Sequence, residues 1–170
     1  RFPIARHSLM RPDPARVLLV YPRFSPNSFW NYQATCEVVG ARYSAAPLGL
    51  ITVAALLPPE WPVRLVNRNT EEVTAADLEW ADLIMTGGML PQQIDTMRVI
   101  ATALAHGKPV VVGGPDVTSS PHVYDHANFK VIGEAEEVMQ DFVSAWRSGA
   151  EGGDFVAREY PDITKSPIPR

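Results

Sequence analysis

The chain has 170 residues, 46% of them hydrophobic and 20% charged, the balance expected of a globular domain with its own core. Its formal net charge of -4 gives no electrostatic case for nucleic acid or an anionic membrane as partner. The single cysteine, Cys36, excludes an internal disulfide and any multi-cysteine zinc or iron–sulfur site within these residues, and fits a reducing cytoplasm.

Along the chain, "RVLLVYP" (residues 16–22) follows a Pro-rich arm (1–15) and reads as a first strand buried on both faces. A long connection (23–46) carries Phe24, Phe29, Trp30, Tyr32 and Tyr43, either a mobile surface loop or a cover for something apolar and flat. "PLGLITVAALLP" (47–58) starts and stops with proline and predicts a helix, although its apolar stretch is too short for a membrane span. "VRLVNRN" (63–69) is a second strand, "TAADLEWA" from Thr74 a short capped helix, and "DLIMTGG" (82–88) a third strand ending in glycines. Residues 91–106 have helical apolar spacing. "PVVVGG" is a fourth strand, "FKVIG" (129–133) a fifth, and "EAEEVMQDFVSAWRSG" a last helix with acids in its first turn.

Strands alternating with helices imply a flavodoxin-like (Rossmann-type) α/β three-layer sandwich, with a parallel sheet of about five strands in the order 2-1-3-4-5. The polar, Pro-rich residues 150–170 read as a linker out of a domain spanning 16–149. A chain that begins at Arg1 and stops at "SPIPR" is expected to be a piece of a longer protein. Ligands in such sheets sit beyond the strand carboxyl ends. Here those ends lack both GxGxxG and GxxxxGK[ST], and the first lacks the acids of a phosphoacceptor.

In order along residues 16–146, "VLLVYPRF", "APLGLITVAALLP", "VRLVNRN", "ADLIMTGGM", "VVVGGPDVTSSP" and "VIGEAEE" resemble the amino-terminal cobalamin-binding domain of cobalamin-dependent radical S-adenosylmethionine proteins. The resemblance implies that the domain binds and orients cobalamin, with its nucleotide tail in a slot against the sheet. Gly113 and Gly114 would leave room for that tail, followed by Pro115. Thr86, Gly87, Gly88 and Met89 would border it at the third strand, and Gly133 and Glu134 at the fifth. Thr86 reads equally well as an ordinary strand residue, and Glu134 as a helix cap first and a ligand contact second. Arg23, Phe24, Asn27 and Met89 are candidates to cover the lower face of cobalt.

The sequence also departs from the patterns of the families it resembles. The Asp-x-His-x-x-Gly of methionine synthase-like domains is missing, and residues 23–46 contain no histidine, so no imidazole from that loop reaches cobalt. The family's CxxxCxxC is missing too. The resemblance therefore implies a partner, a C-terminal radical S-adenosylmethionine domain of the same polypeptide, bringing the 4Fe-4S cluster, S-adenosylmethionine and methyl-transfer or related chemistry. His122 and His126 lack a third ligand and read as surface residues. The alternatives are a flavodoxin-like ligand-binding or protein-interaction domain without cobalamin, and a flavin-binding electron carrier.

Overall fold

In the computed structural model, which describes residues 11–43 and 46–170, the apolar runs become strands of one parallel sheet. In chain order the elements are β1 (Val17–Tyr21), α1 (Gln33–Val39), α2 (Leu48–Leu56), β2 (Val63–Asn67), α3 (Ala75–Trp80) and β3 (Leu83–Gly87). They continue with α4 (Gln93–Ala105), β4 (Val110–Gly113), α5 (Pro115–Ser119), β5 (Phe129–Ile132), α6 (Ala135–Arg147) and β6 (Gly153–Val156). The sheet order is β2-β1-β3-β4-β5-β6, the expected five-strand order extended by one strand.

Both sheet faces are covered, which is why the strands are continuously apolar rather than alternating. Val17 and Leu19 of β1 join Leu83, Met85, Val111 and Phe129 under α2 and α6. Leu18 and Val20 point the other way, with Ile84, Val110 and Val112, toward α3, α4 and α5. On the first face Trp61, Phe129, Phe142 and Trp146 are fully buried and pack edge-on or tilted, with ring centroids 5.4–6.4 Å apart. At about 25 cal/mol per Å2 of apolar surface removed from water, such large side chains dominate the burial that fixes α6. The expected capped helix also forms: Thr74 Oγ1 accepts from the Asp77 N–H at 3.2 Å, and Asp77 accepts from the Thr74 N–H at 3.0 Å.

Three elements depart from the sequence reading. Residues 150–170 contribute β6, paired in parallel with β5 from Phe129↔Gly153 to Ile132↔Val156. An edge strand with one strong apolar residue carries little pattern. Phe155 secures it against Phe129 and Phe142, and Asp154 meets the buried Lys130 at 3.2 Å. The rest of this segment turns back over the domain: the Arg170 N–H donates to Ile51 O at 3.0 Å, and Ser166 Oγ to Glu136 at 2.7 Å. The long first connection holds α1, and "GGPDVTSSP" holds α5, each too short for helical periodicity to register. Residues 1–10 of the arm, and Ser44 and Ala45 of the connection, lie outside the described residues. Among the described residues no helix is long and apolar enough to cross a membrane.

Candidate functional site

At the carboxyl ends of the central strands, between the sheet and helices α2 and α6, lies a cavity of about 530 Å3, within the range of roughly 300–1,000 Å3 usual for ligand pockets. Its floor repeats on three strands: Met85 then Gly87 on β3, Val111 then Gly113 on β4, and Val131 then Gly133 at the end of β5. Since side chains two apart in a strand share a face, each strand presents one bulky apolar residue and then bare backbone. Leu48, Gly49, Leu50 and Val53 of α2 and Ala135 and Met139 of α6 complete the walls.

The polar side chains of the lining are largely committed within the protein. Thr86 Oγ1 donates to Val20 O at 2.9 Å, and Thr52 Oγ1 to Leu48 O at 2.9 Å. Gln92 donates to Pro22 O at 2.7 Å and accepts from the Met89 N–H at 3.0 Å, and Glu136 accepts from Ser166. Among the described residues no lysine, arginine or histidine lines the cavity.

The glycines answer first to the backbone. A Cβ on Gly87 would stand 2.0 Å from Gly113 O, so this residue is what lets the ends of β3 and β4 approach. Gly114 has φ +96, and a Cβ there would meet Gly88 N at 3.1 Å. On Gly113 it would meet Val131 Cβ at 3.3 Å. The expectation that Gly113 and Gly114 exist to leave room for a ligand therefore gains a physical competitor: a side chain on Gly114 is strained by its φ, and one on Gly113 is crowded by Val131, whether or not a ligand is present. Gly49 is different. It lines the cavity, its φ is ordinary, and a Cβ on it meets nothing within 4 Å.

Nine of the twelve residues expected at the site line this cavity: Thr86, Gly87, Gly88, Met89, Gly113, Gly114, Pro115, Gly133 and Glu134. Glu134 occupies the N-cap position of α6, but its side chain makes no capping hydrogen bond and is exposed, contrary to the capping role expected of it. The other three, Arg23, Phe24 and Asn27, do not line the cavity. Arg23 donates to Glu72 and to Arg68 O, Phe24 is buried, and Asn27 is exposed.

Arg23 and Phe24 instead belong to a clamp at the root of the loop. Asp95, at the start of α4, accepts from the Arg23 N–H at 2.7 Å and from Arg68 Nε at 2.7 Å, with the second Arg68 nitrogen 3.0 Å from its other oxygen. Burial alone would raise the Asp95 pKa. Hydrogen bonds from Arg68 and the Arg23 backbone, with both positive charges, instead hold it below the usual aspartate value. The Phe24 N–H donates to Asn69 Oδ1, and the Ser25 N–H to Pro91 O. Beyond this root Phe29 and Trp30 are exposed, while Tyr43 returns to Tyr21 at the cavity edge, ring centroids 6.1 Å apart. Burial and hydrogen bonding to Tyr21 push the Tyr43 phenol above its usual pKa.

Sequence reasoning missed the α2 wall and the deeper Met85, Val111, Val131 and Met139. The available signal was α2 itself, which is apolar on every side and carries a glycine in its first turn, a pattern that a helix with one core-facing stripe does not need. His122 and His126 are exposed, and among the described residues no group of three or more potential metal ligands occurs. Cys36 is buried in α1.

Fold and cavity define a parallel-sheet α/β domain with an apolar slot beneath the carboxyl ends of its central strands. The chain is 45% identical over 157 residues to an uncharacterized methyltransferase of Synechocystis sp., covering 91% of this chain and 29% of that protein. It is 30% identical over 159 residues to the hopanoid C-2 methylase of Rhodopseudomonas palustris, covering 91% of this chain and 30% of the methylase. The chain thus spans less than a third of the length of these curated relatives. No protein-family profile matches it, and no solved structure does.

Proposed function

We propose that this chain is the cobalamin-binding domain of a cytoplasmic methylating enzyme, the expected span 16–149 being extended by β6 and the segment that follows it. In this reading the slot takes the nucleotide tail of the cofactor, and a C-terminal radical S-adenosylmethionine domain of the same polypeptide brings the 4Fe-4S cluster and S-adenosylmethionine. The carrying observation is the slot: an apolar recess of about 530 Å3 on the α2 and α6 face, open at glycine-bearing strand ends. Its walls suit a flat aromatic group, its bare backbone admits close approach, and similarity to two methylases supports a methyl-transfer role. When bound, cobalamin supplies a cobalt centre able to carry a methyl group.

The protein's own part is to hold and orient. Met85, Val111, Val131 and Met139 would exclude water from the buried group, and α2 would close over it. Met89, half-buried beside the glycine turn, is the one of the four lower-face candidates that lines the slot.

Gly49 offers the cleanest test, because a side chain there enters open space without backbone strain. The wild-type domain is expected to bind hydroxocobalamin in an absorbance titration, and Gly49→Ala to bind equally well while favouring the helix by about 0.5–1 kcal/mol. Gly49→Phe should lose about tenfold or more in affinity, about 1.4 kcal/mol, with its circular dichroism unchanged. Undiminished binding by Gly49→Phe would place the ligand elsewhere.

A further inference from the structure

The slot is lined at its depth mainly by apolar side chains, and the described polar side chains beside it are already engaged within the protein. Among the described residues no buried side-chain nitrogen or oxygen lacks a partner. Within the lining, Thr86, Thr52, Gln92 and Glu136 all have partners inside the protein. Glu134 is exposed, and Tyr21 stands at the end of β1 against Tyr43. What remains at depth is Met85, Val111, Val131, Met139, Leu50 and Val53, all without donors and, apart from two weakly accepting thioethers, without acceptors.

A ligand group that carries several hydrogen-bonding atoms on its edge meets mostly apolar side chains in such walls, with only the backbone at the glycine-bearing strand ends to pair with, and atoms left unpaired there carry a cost that water does not impose. A plain or methyl-bearing aromatic ring loses nothing, and the flexible Met85 and Met139 side chains can close around it. We propose that the slot selects corrinoids by the base at the end of their tail, accepting benzimidazole or phenolic bases and discriminating against purines. This rests on the cobalamin reading above and adds the chemical class of tail. An adenine base brings an exocyclic amine and several ring nitrogens. A benzimidazole released from cobalt brings one bare nitrogen, and a phenolic base brings none. The expected order of affinity is phenolic at least equal to benzimidazole, and both above adenine by about tenfold to a hundredfold, the discrimination apolar pockets reach.

The test is equilibrium titration of the domain with four probes: cobalamin, p-cresolylcobamide, adeninylcobamide and cobinamide, which has no nucleotide tail. The expected result is the order above, with cobinamide weaker than cobalamin. Val111→Thr keeps the side-chain shape and adds a hydroxyl to the slot, so it should narrow the gap between adeninylcobamide and cobalamin. Adeninylcobamide binding as tightly as cobalamin overturns the selectivity and leaves the cobalamin reading standing. Cobinamide binding as tightly as cobalamin also overturns it, because the tail would then lie outside the slot. Failure of all four corrinoids to bind overturns the cobalamin reading and the selectivity with it.

Discussion

Asp95→Ala is expected to lower the unfolding free energy by about 3–5 kcal/mol in urea titration, the usual cost of removing one partner from a buried ion pair. Asp95 and Arg68 expose only 8% and 16% of their side chains. Without the carboxylate, the Arg68 guanidinium keeps a single acidic partner, Glu72, which is largely exposed, and the Arg23 N–H loses its acceptor. Glu72→Ala should cost less than about 1 kcal/mol, because exposed ion pairs contribute little. The contrast between these variants is the prediction. Asp95→Ala within 1 kcal/mol of wild type would mean that the clamp does not secure the first loop.

Gly87→Ala is expected to be as damaging, although it adds only one carbon. The new Cβ would lie 2.0 Å from Gly113 O and 2.7 Å from its carbonyl carbon, backbone atoms of a paired strand with no rotamer to yield. Overpacking commonly costs about 1–3 kcal/mol, and a clash that separates two central strands belongs at or above the top of that range. Amide hydrogen exchange should locate the loss at the β3–β4 ladder, where Thr86 pairs with Val112 and Gly87 with Gly113. Retained protection there together with wild-type stability would contradict the close approach. By the same reasoning Gly114→Leu is a poor probe of ligand space, since its φ of +96 penalises any side chain before a ligand is added.

The parallel α/β architecture was legible because its signals are local and repeated. Runs such as "VLLVY" and "VVVGG", bounded by Pro and Gly, specify strands, and the spacing of helices between them specifies parallel order. The Gly87–Gly88 and Gly113–Gly114 steps marked the end of the sheet where the cavity lies. What the glycines do was less legible, because the reason lies in contacts such as Gly87 with Gly113, which only tertiary structure reveals. Arg23 and Phe24 looked available in sequence, yet their partners are Glu72 and Asn69, more than forty residues away. β6 escaped notice because "GDFV" depends on Phe155 packing under α6 rather than on its own pattern.

Under the proposed function, cobalamin places its tail between the sheet and helices α2 and α6. Methyl-labelled methionine makes this directly measurable by NMR: Met85, Met89 and Met139 line the slot, while Met97 packs on the opposite face of the sheet. Titration with cobalamin should shift or broaden the methyl signals of Met85, Met89 and Met139 through the ring current of the incoming base, and leave Met97 unchanged. Saturated binding that leaves Met85 and Met139 unmoved would contradict the account.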